Sequence, residues 1–174
     1  MKELTHLDAR GRPSMVDVSG KVVSYRVATA RGFIRLQPET IRLVEANQIA
    51  KGNVLITAEI AGIQAAKHTA MLIPLCHPLP LTRVKVEARI EAEGVAVQSE
   101  AKCTERTGVE MEALTAVAVA LLTVYDMCKA VDTRMVISAV ELVSKTKEPV
   151  AAEPAAVGGG RQGRRPAARK AGGV

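Results

Sequence analysis

VKVEARIEAEGVAVQSEAKCTERTGVEMEALTAVAVALLTVYDMCKAV, residues Val84 to Val131, carries two periodicities in succession. Val84, Val86, Ala88 and Ile90 alternate with Lys85, Glu87 and Arg89, the two-residue period of a half-buried strand. Glu93-Gly94 turns the chain into a second strand with Val95, Val97, Ser99, Ala101 and Cys103 on one face. So short a connection makes the pair an antiparallel hairpin. From Gly108 the alternation gives way to an apolar stretch whose only formally charged side chains are Glu110, Glu112, Asp126 and Lys129. A run such as Ala116 to Val124 needs burial, whereas carboxylates are rarely buried unless paired or functional. The expectation is a core helix with a polar site at each end.

Outward from this stretch, Lys21 to Leu36 is rich in β-branched residues and reads as a strand with an irregularity around Gly32. Pro38 opens a helix, PETIRLVEANQ, where its missing N–H costs nothing. After the Lys51-Gly52-Asn53 turn, Val54 to Lys67 resumes a helical pattern. Its small residues Ala58, Ala61, Gly62 and Ala65 would admit another backbone closely. Pro74 and Pro78 exclude regular helix around Leu75-Cys76-His77, and Met135 to Ser144 reads as a last strand. Strand, helix, strand, strand, helix, strand is the order of an α+β, ferredoxin-like split βαβ fold, an antiparallel sheet with helices packed on one face. The opposite face, given so many valines, is expected to be bare, apolar and covered by another subunit. Three segments follow: an N-terminal loop segment (1–20), a ferredoxin-like domain (21–147) and a disordered basic tail (148–174), rich in Pro, Gly, Ala and Arg.

The 174 residues are 48% hydrophobic but only 2% aromatic, namely Tyr25, Phe33 and Tyr125, so the core must be built from Val, Ile, Leu and Ala. So little aromatic surface argues against nucleic-acid binding by base stacking. The net charge of +6 is shared between tail and body, and the body's mild basic excess suits small anions. Cys76, Cys103 and Cys128 form no CxxC pair, which fits a reducing compartment and suggests neither disulfides nor a zinc site. The first fifteen residues have no apolar signal region, and the longest apolar run falls short of the roughly 20 residues that cross a bilayer, so a cytoplasmic protein is expected.

Thr107 three residues before Glu110 has the spacing of a capping box, which competes with a functional role for Glu110. Glu112 lacks that explanation, although a first-turn acid is favoured by the helix dipole in any case. Asp126 and Lys129 have the spacing of a helical ion pair, yet Asp126 adjoins Tyr125, Met127 and Cys128, where a poorly solvated carboxylate suits proton transfer. His77 sits in a loop stiffened by two prolines, a setting that can hold a catalytic or binding side chain in place. Lys51, Lys67 and Lys145, read singly, are surface lysines. No P-loop, GxGxxG or metal-ligand cluster occurs, so any phosphate site must assemble from dispersed cations.

Five segments in order, Met15-Val-Asp-Val-Ser19, Ile60-Ala-Gly-Ile-Gln-Ala-Ala-Lys67, Ile73-Pro-Leu-Cys-His-Pro78, Gly108-Val-Glu-Met-Glu-Ala-Leu-Thr-Ala116 and Tyr125-Asp-Met-Cys-Lys-Ala130, carry a resemblance over about Leu4 to Lys145. The chain resembles the cyclic pyranopterin monophosphate synthases, the accessory protein C family of molybdenum cofactor biosynthesis. The resemblance implies a homohexamer, a trimer of dimers with sites at the dimer interface. It implies conversion of 3',8-cyclo-7,8-dihydroguanosine 5'-triphosphate into cyclic pyranopterin monophosphate with release of diphosphate. By motif, Asp126 would be the catalytic acid, with Lys51 and Lys129 as its proton-transfer partners. Leu75, Cys76, His77, Met111 and Glu112 would line the substrate, with Glu110, Arg26, Lys67 and Lys145. Asn53 departs from the Asp expected after Lys-Gly, which bears on the orientation of Lys51. No resident metal or cofactor is implied, although Mg²⁺ could accompany the triphosphate. The competing readings are a non-catalytic purine-nucleotide-binding module and a nucleic-acid-associated protein acting through its tail.

Overall fold

The computed structural model describes residues 10–150. Eight elements follow in order: β1 (Ser24–Arg35), α1 (Pro38–Glu45), α2 (Val54–Lys67), a short α3 (Thr69–Leu72), β2 (Arg83–Glu91), β3 (Gly94–Glu105), α4 (Glu110–Cys128) and β4 (Val136–Pro149). The four strands form one sheet in the order β2-β3-β1-β4, every neighbouring pair antiparallel. This is the α+β, split βαβ arrangement expected. The strand begins three residues later than Lys21, and β4 runs through Pro149, where Ser24 still pairs with it. The boundary expected after residue 147 therefore falls inside a strand. The tail from 151 onward, and residues 1–9 of the N-terminal segment, lie outside the described residues.

The alternation read from the sequence decides the two sheet faces. Ile34, Val95 and Ile90 form one cross-strand row and Ala30, Ser99 and Val86 another; with Val97 and Ala88 they lie beneath the helices. Here the expectation of an apolar bare face is overturned. The valines of β2 and β3 serve the helix side, and the open face carries Lys85, Glu87, Glu100, Lys102, Arg31 and Glu141, with Val27 of β1 beside Lys102. They pair as Lys85–Glu87 (2.9 Å), Lys102–Glu100 (3.1 Å) and Arg31–Glu141 (2.6 Å). The physical reason is parity: with a period of two, valines in register across the two strands must all face one way.

On the helix side α4 crosses the sheet and α2 packs against it. Gly62 makes that packing possible. A Cβ there would stand 2.8 Å from the backbone oxygen of Ala116, so only glycine allows α2 this close. Gly32 does the same for β1: its Cβ would stand 2.7 Å from Val117 and 2.8 Å from Leu121. The irregularity expected around Gly32 is a pair of β-bulges in the β1–β4 register, with Ala139 at φ +53°.

α4 is 19 residues long with a mean hydropathy of 1.5, enough by length and composition to cross a membrane, contrary to the expectation of a shorter run. Its middle is instead enclosed: Ala116, Val117, Ala120, Leu121 and Val124 are buried without remainder. Because α2 runs antiparallel to α4, Lys51 before α2 meets the C-terminal end of α4 and Lys67 ends up toward its start.

Candidate active site

At the N-terminal end of α4 the expected capping box does not form. The helix starts at Glu110 with Val109 as its N-cap and no side chain bonded there. Glu110 reaches across to β4, where Lys145 Nζ donates to its Oε1 at 3.0 Å. Burial is the strongest single influence on the Glu110 carboxyl and raises it; the Lys145 hydrogen bond, a hydrogen bond from its own backbone N–H and the charges of Lys145 and Arg26 together outweigh burial and hold the group below its ordinary value. Arg26 fixes the approach to this helix by donating from Nε to Glu105 O and from Nη2 to Arg106 O, both at 2.9 Å.

Glu112, one residue beyond Met111, is only 4% exposed. Burial first, then the Glu110 charge, pushes its carboxyl up to about 7, so near neutral pH it both holds and releases a proton. A cleft of about 380 Å³ opens beside it, lined by Val16, Lys21, Leu75, Cys76, His77 and Met111 among others. His77 Nε2 donates to Val16 O at 2.9 Å, tying the proline-bracketed loop to the segment before β1. Burial and then the nearby Glu112 charge raise the Cys76 thiol, which keeps its proton at neutral pH. A second cleft of about 280 Å³ adjoins it through Gly108 and Glu110 and is lined by Arg26, Lys145 and Lys147. Lys67 lines a further recess with Leu79, which also borders the first cleft.

The C-terminal end of α4 holds the other group. Asp126 Oδ2 accepts from Lys51 Nζ at 2.6 Å and Oδ1 from Lys129 Nζ at 2.7 Å, and Lys51 also donates to the Asp126 carbonyl at 2.9 Å. The expected ion pair of Asp126 with Lys129 is there, extended by Lys51 into a three-residue cluster. The poorly solvated carboxylate is not: the three side chains are 55%, 47% and 56% exposed for Asp126, Lys51 and Lys129. The hydrogen bonds of Lys129 and then Lys51 pull the Asp126 carboxyl down to about 2, and Asp126 in turn raises the Lys129 ammonium. In one copy of the chain Asp126 is thus ionised at neutral pH and bonded to two ammonium groups. The carboxyl tuned to neutral pH is Glu112. Asn53 caps α2 by accepting the Ile56 N–H at 2.9 Å, and with Asn in that position Lys51 still reaches Asp126.

Hence the structure brings Lys51, Asp126 and Lys129 together at one end. It gathers Leu75, Cys76, His77, Met111, Glu112, Glu110, Arg26 and Lys145 at the other, with Lys67 close by. Two further lysines line these clefts: Lys21, in the segment before β1 instead of the expected strand, and Lys147, the last residue of the expected domain, whose signal in the sequence is its two-residue spacing from Lys145. Among the described residues no group of three or more His, Cys, Asp and Glu stands where it could hold a metal. A cleft of about 360 Å³ on the open sheet face contains none of the expected residues, and Arg31 there is already neutralised by Glu141.

Residues 15–148 match the MoaC family. The chain belongs to that family. Among its relatives, a cyclic pyranopterin monophosphate synthase of Thermomicrobium roseum is 58% identical over 147 residues, 83% of this chain and 89% of the relative. Synthases of the same name from Desulfitobacterium hafniense and a Roseiflexus species are 54% and 55% identical, over 83% and 84% of this chain and 89% and 94% of their own. The matched span of this MoaC-family chain contains both ends of α4 and every residue of the two groups described above.

Proposed function

We propose that this chain is a cyclic pyranopterin monophosphate synthase of molybdenum cofactor biosynthesis. It converts 3',8-cyclo-7,8-dihydroguanosine 5'-triphosphate into cyclic pyranopterin monophosphate and releases diphosphate. The observation that carries the reading is the convergence of Lys51 and Lys129 on Asp126 in a chain so similar to synthases of that name. A ring rearrangement needs proton donors and acceptors held in place, and a triphosphate needs cations. Asp126 positions the two lysines that exchange protons with the substrate. Glu112 supplies a carboxyl that changes state near neutral pH. Arg26, Lys67 and Lys145 take the phosphates, and Leu75, Cys76, His77 and Met111 shape the cleft around the base. A silent nucleotide-binding module would have no use for the Lys51–Asp126–Lys129 cluster, and that reading is not favoured. We assign no resident cofactor to the chain; Mg²⁺ would enter with the triphosphate. The cytoplasm, where nucleotide triphosphates are held, is the compartment proposed.

The site is proposed to be shared between two copies in a homohexamer built as a trimer of dimers. Glu112 and Asp126 are fourteen residues apart on one unbroken helix, about 21 Å at 1.5 Å per residue. One small substrate does not place its reacting centre beside both. The outer side of the helices supports the reading: Ile56 and Ile60 on α2 and Leu122 and Tyr125 on α4 stand exposed one helical turn apart, an apolar patch beside the Asp126 end. Incubation with the cyclic dihydro-GTP intermediate and mass detection of pyranopterin and diphosphate is the test. Binding without either product would sink the proposal.

A further inference from the structure

Lys147 stands on β4 two residues beyond Lys145 and directly across from Arg26 in the β1–β4 register. Residues two apart in a strand project to the same side, and all three cations line the same cleft of about 280 Å³ beside the start of α4. The other charged groups there are committed. Glu110, the one acid of that lining, accepts from Lys145, and the Arg26 guanidinium donates to the Glu105 and Arg106 carbonyls. Among the described residues no carboxylate pairs with Lys147. Like charges directly opposite one another destabilise a sheet, so Arg26 facing Lys147 is a local conflict that a bound anion would relieve. Lysine, a compact charge on a flexible stem, can follow a phosphate group as it departs.

We infer that Lys147 is a further substrate-binding residue, completing with Arg26 and Lys145 a three-cation subsite for the phosphate chain of the substrate and the diphosphate it releases. The inference rests on the function proposed above. The test uses the full-length protein with inorganic pyrophosphate as probe, by calorimetry at low and high salt, alongside kcat and KM on the cyclic triphosphate. Lys147→Ala should weaken pyrophosphate and raise KM by about threefold to tenfold while kcat stays within about twofold. Lys147→Arg should restore both, and Lys85→Ala, on the open sheet face, should change neither. Pyrophosphate bound equally well by Lys147→Ala, or weakened equally by Lys85→Ala, would overturn the inference. So would turnover by a wild-type protein that takes up no pyrophosphate. A wild-type protein that binds pyrophosphate through Lys147 yet makes no pyranopterin would uphold the subsite and overturn the functional reading instead.

Discussion

Asp126 and Glu112 are both carboxylates on one helix, and their surroundings drive them in opposite directions. Two lysine hydrogen bonds hold Asp126 ionised down to about pH 2, while burial keeps a proton on Glu112 up to about pH 7. Asp126→Asn leaves one oxygen to accept from two ammonium groups, and turnover should fall by about 10²- to 10⁴-fold with the fold intact. Near-normal turnover would reduce Asp126 to a partner for Lys129. Lys51→Ala and Lys129→Ala should damage the chemical step in single-turnover kinetics; a defect confined to affinity would move both lysines to phosphate binding. Glu112 makes a pH prediction. Its folded pKa lies above the ordinary 4.5, so as pH rises the unfolded chain gives up the proton first. The stability it confers is fully present below about pH 4.5 and is lost as pH climbs through about 7, an effect on the order of 3 kcal/mol. Glu112→Gln should flatten that slope in denaturant titrations run across the range, and should remove an inflection near pH 7 from the kcat/KM profile.

At the level of elements, the α2–α4 contact decides how both sites are presented. Helix propensity favours alanine over glycine by about 1 kcal/mol. At position 62 the added Cβ would meet the Ala116 backbone oxygen, which cannot swing aside as a side chain would. Overpacking of that kind costs about 1–3 kcal/mol, so Gly62→Ala should destabilise the protein on balance, measurable by urea denaturation. Forcing α2 outward also carries Lys51 away from Asp126, so turnover should fall more than stability alone explains. Asp132 is the counterpart at the far end of α4. Buried at 3% exposure, it accepts from Gln37 N (2.8 Å), Thr40 Oγ1 (3.1 Å) and Arg134 N (2.9 Å), fastening the turn after α4 to the start of α1.

Across the whole molecule, the length of α4 argues for a second copy. If each site pairs the Glu112 end of one subunit with the Asp126 end of its neighbour, mixing inactive Glu112→Ala and Asp126→Ala proteins should restore activity. Random exchange makes about half the dimers mixed, each with one intact site, so about a quarter of all sites recover. Verified exchange with no recovery would place both residues in sites within one chain, or leave one of them outside any site. The C-terminal segment gives a separate check. Because β4 pairs through Pro149, a truncation that spares the fold must begin after Pro149, and that shortened protein should turn over substrate normally.

The order of strands and helices was legible in the sequence because it rests on local periodicity. Valines at a spacing of two, an uninterrupted apolar helix and prolines at Pro38, Pro74 and Pro78 each act within a few residues. The charged residues of α4 were legible for the same reason, since an acid in an apolar run stands out against its neighbours. Contacts between distant segments were beyond that reach. Lys51 meets Asp126 across 75 residues and Glu110 meets Lys145 across 35, so the carboxylate that is tuned and the one that is pinned could not be told apart beforehand. Nor could the sequence show which sheet face the valines would occupy, because alternation defines two faces and only helix packing decides which is covered. Burial and charge pairing are properties of the assembled chain, and here they decide the protonation state of each carboxylate.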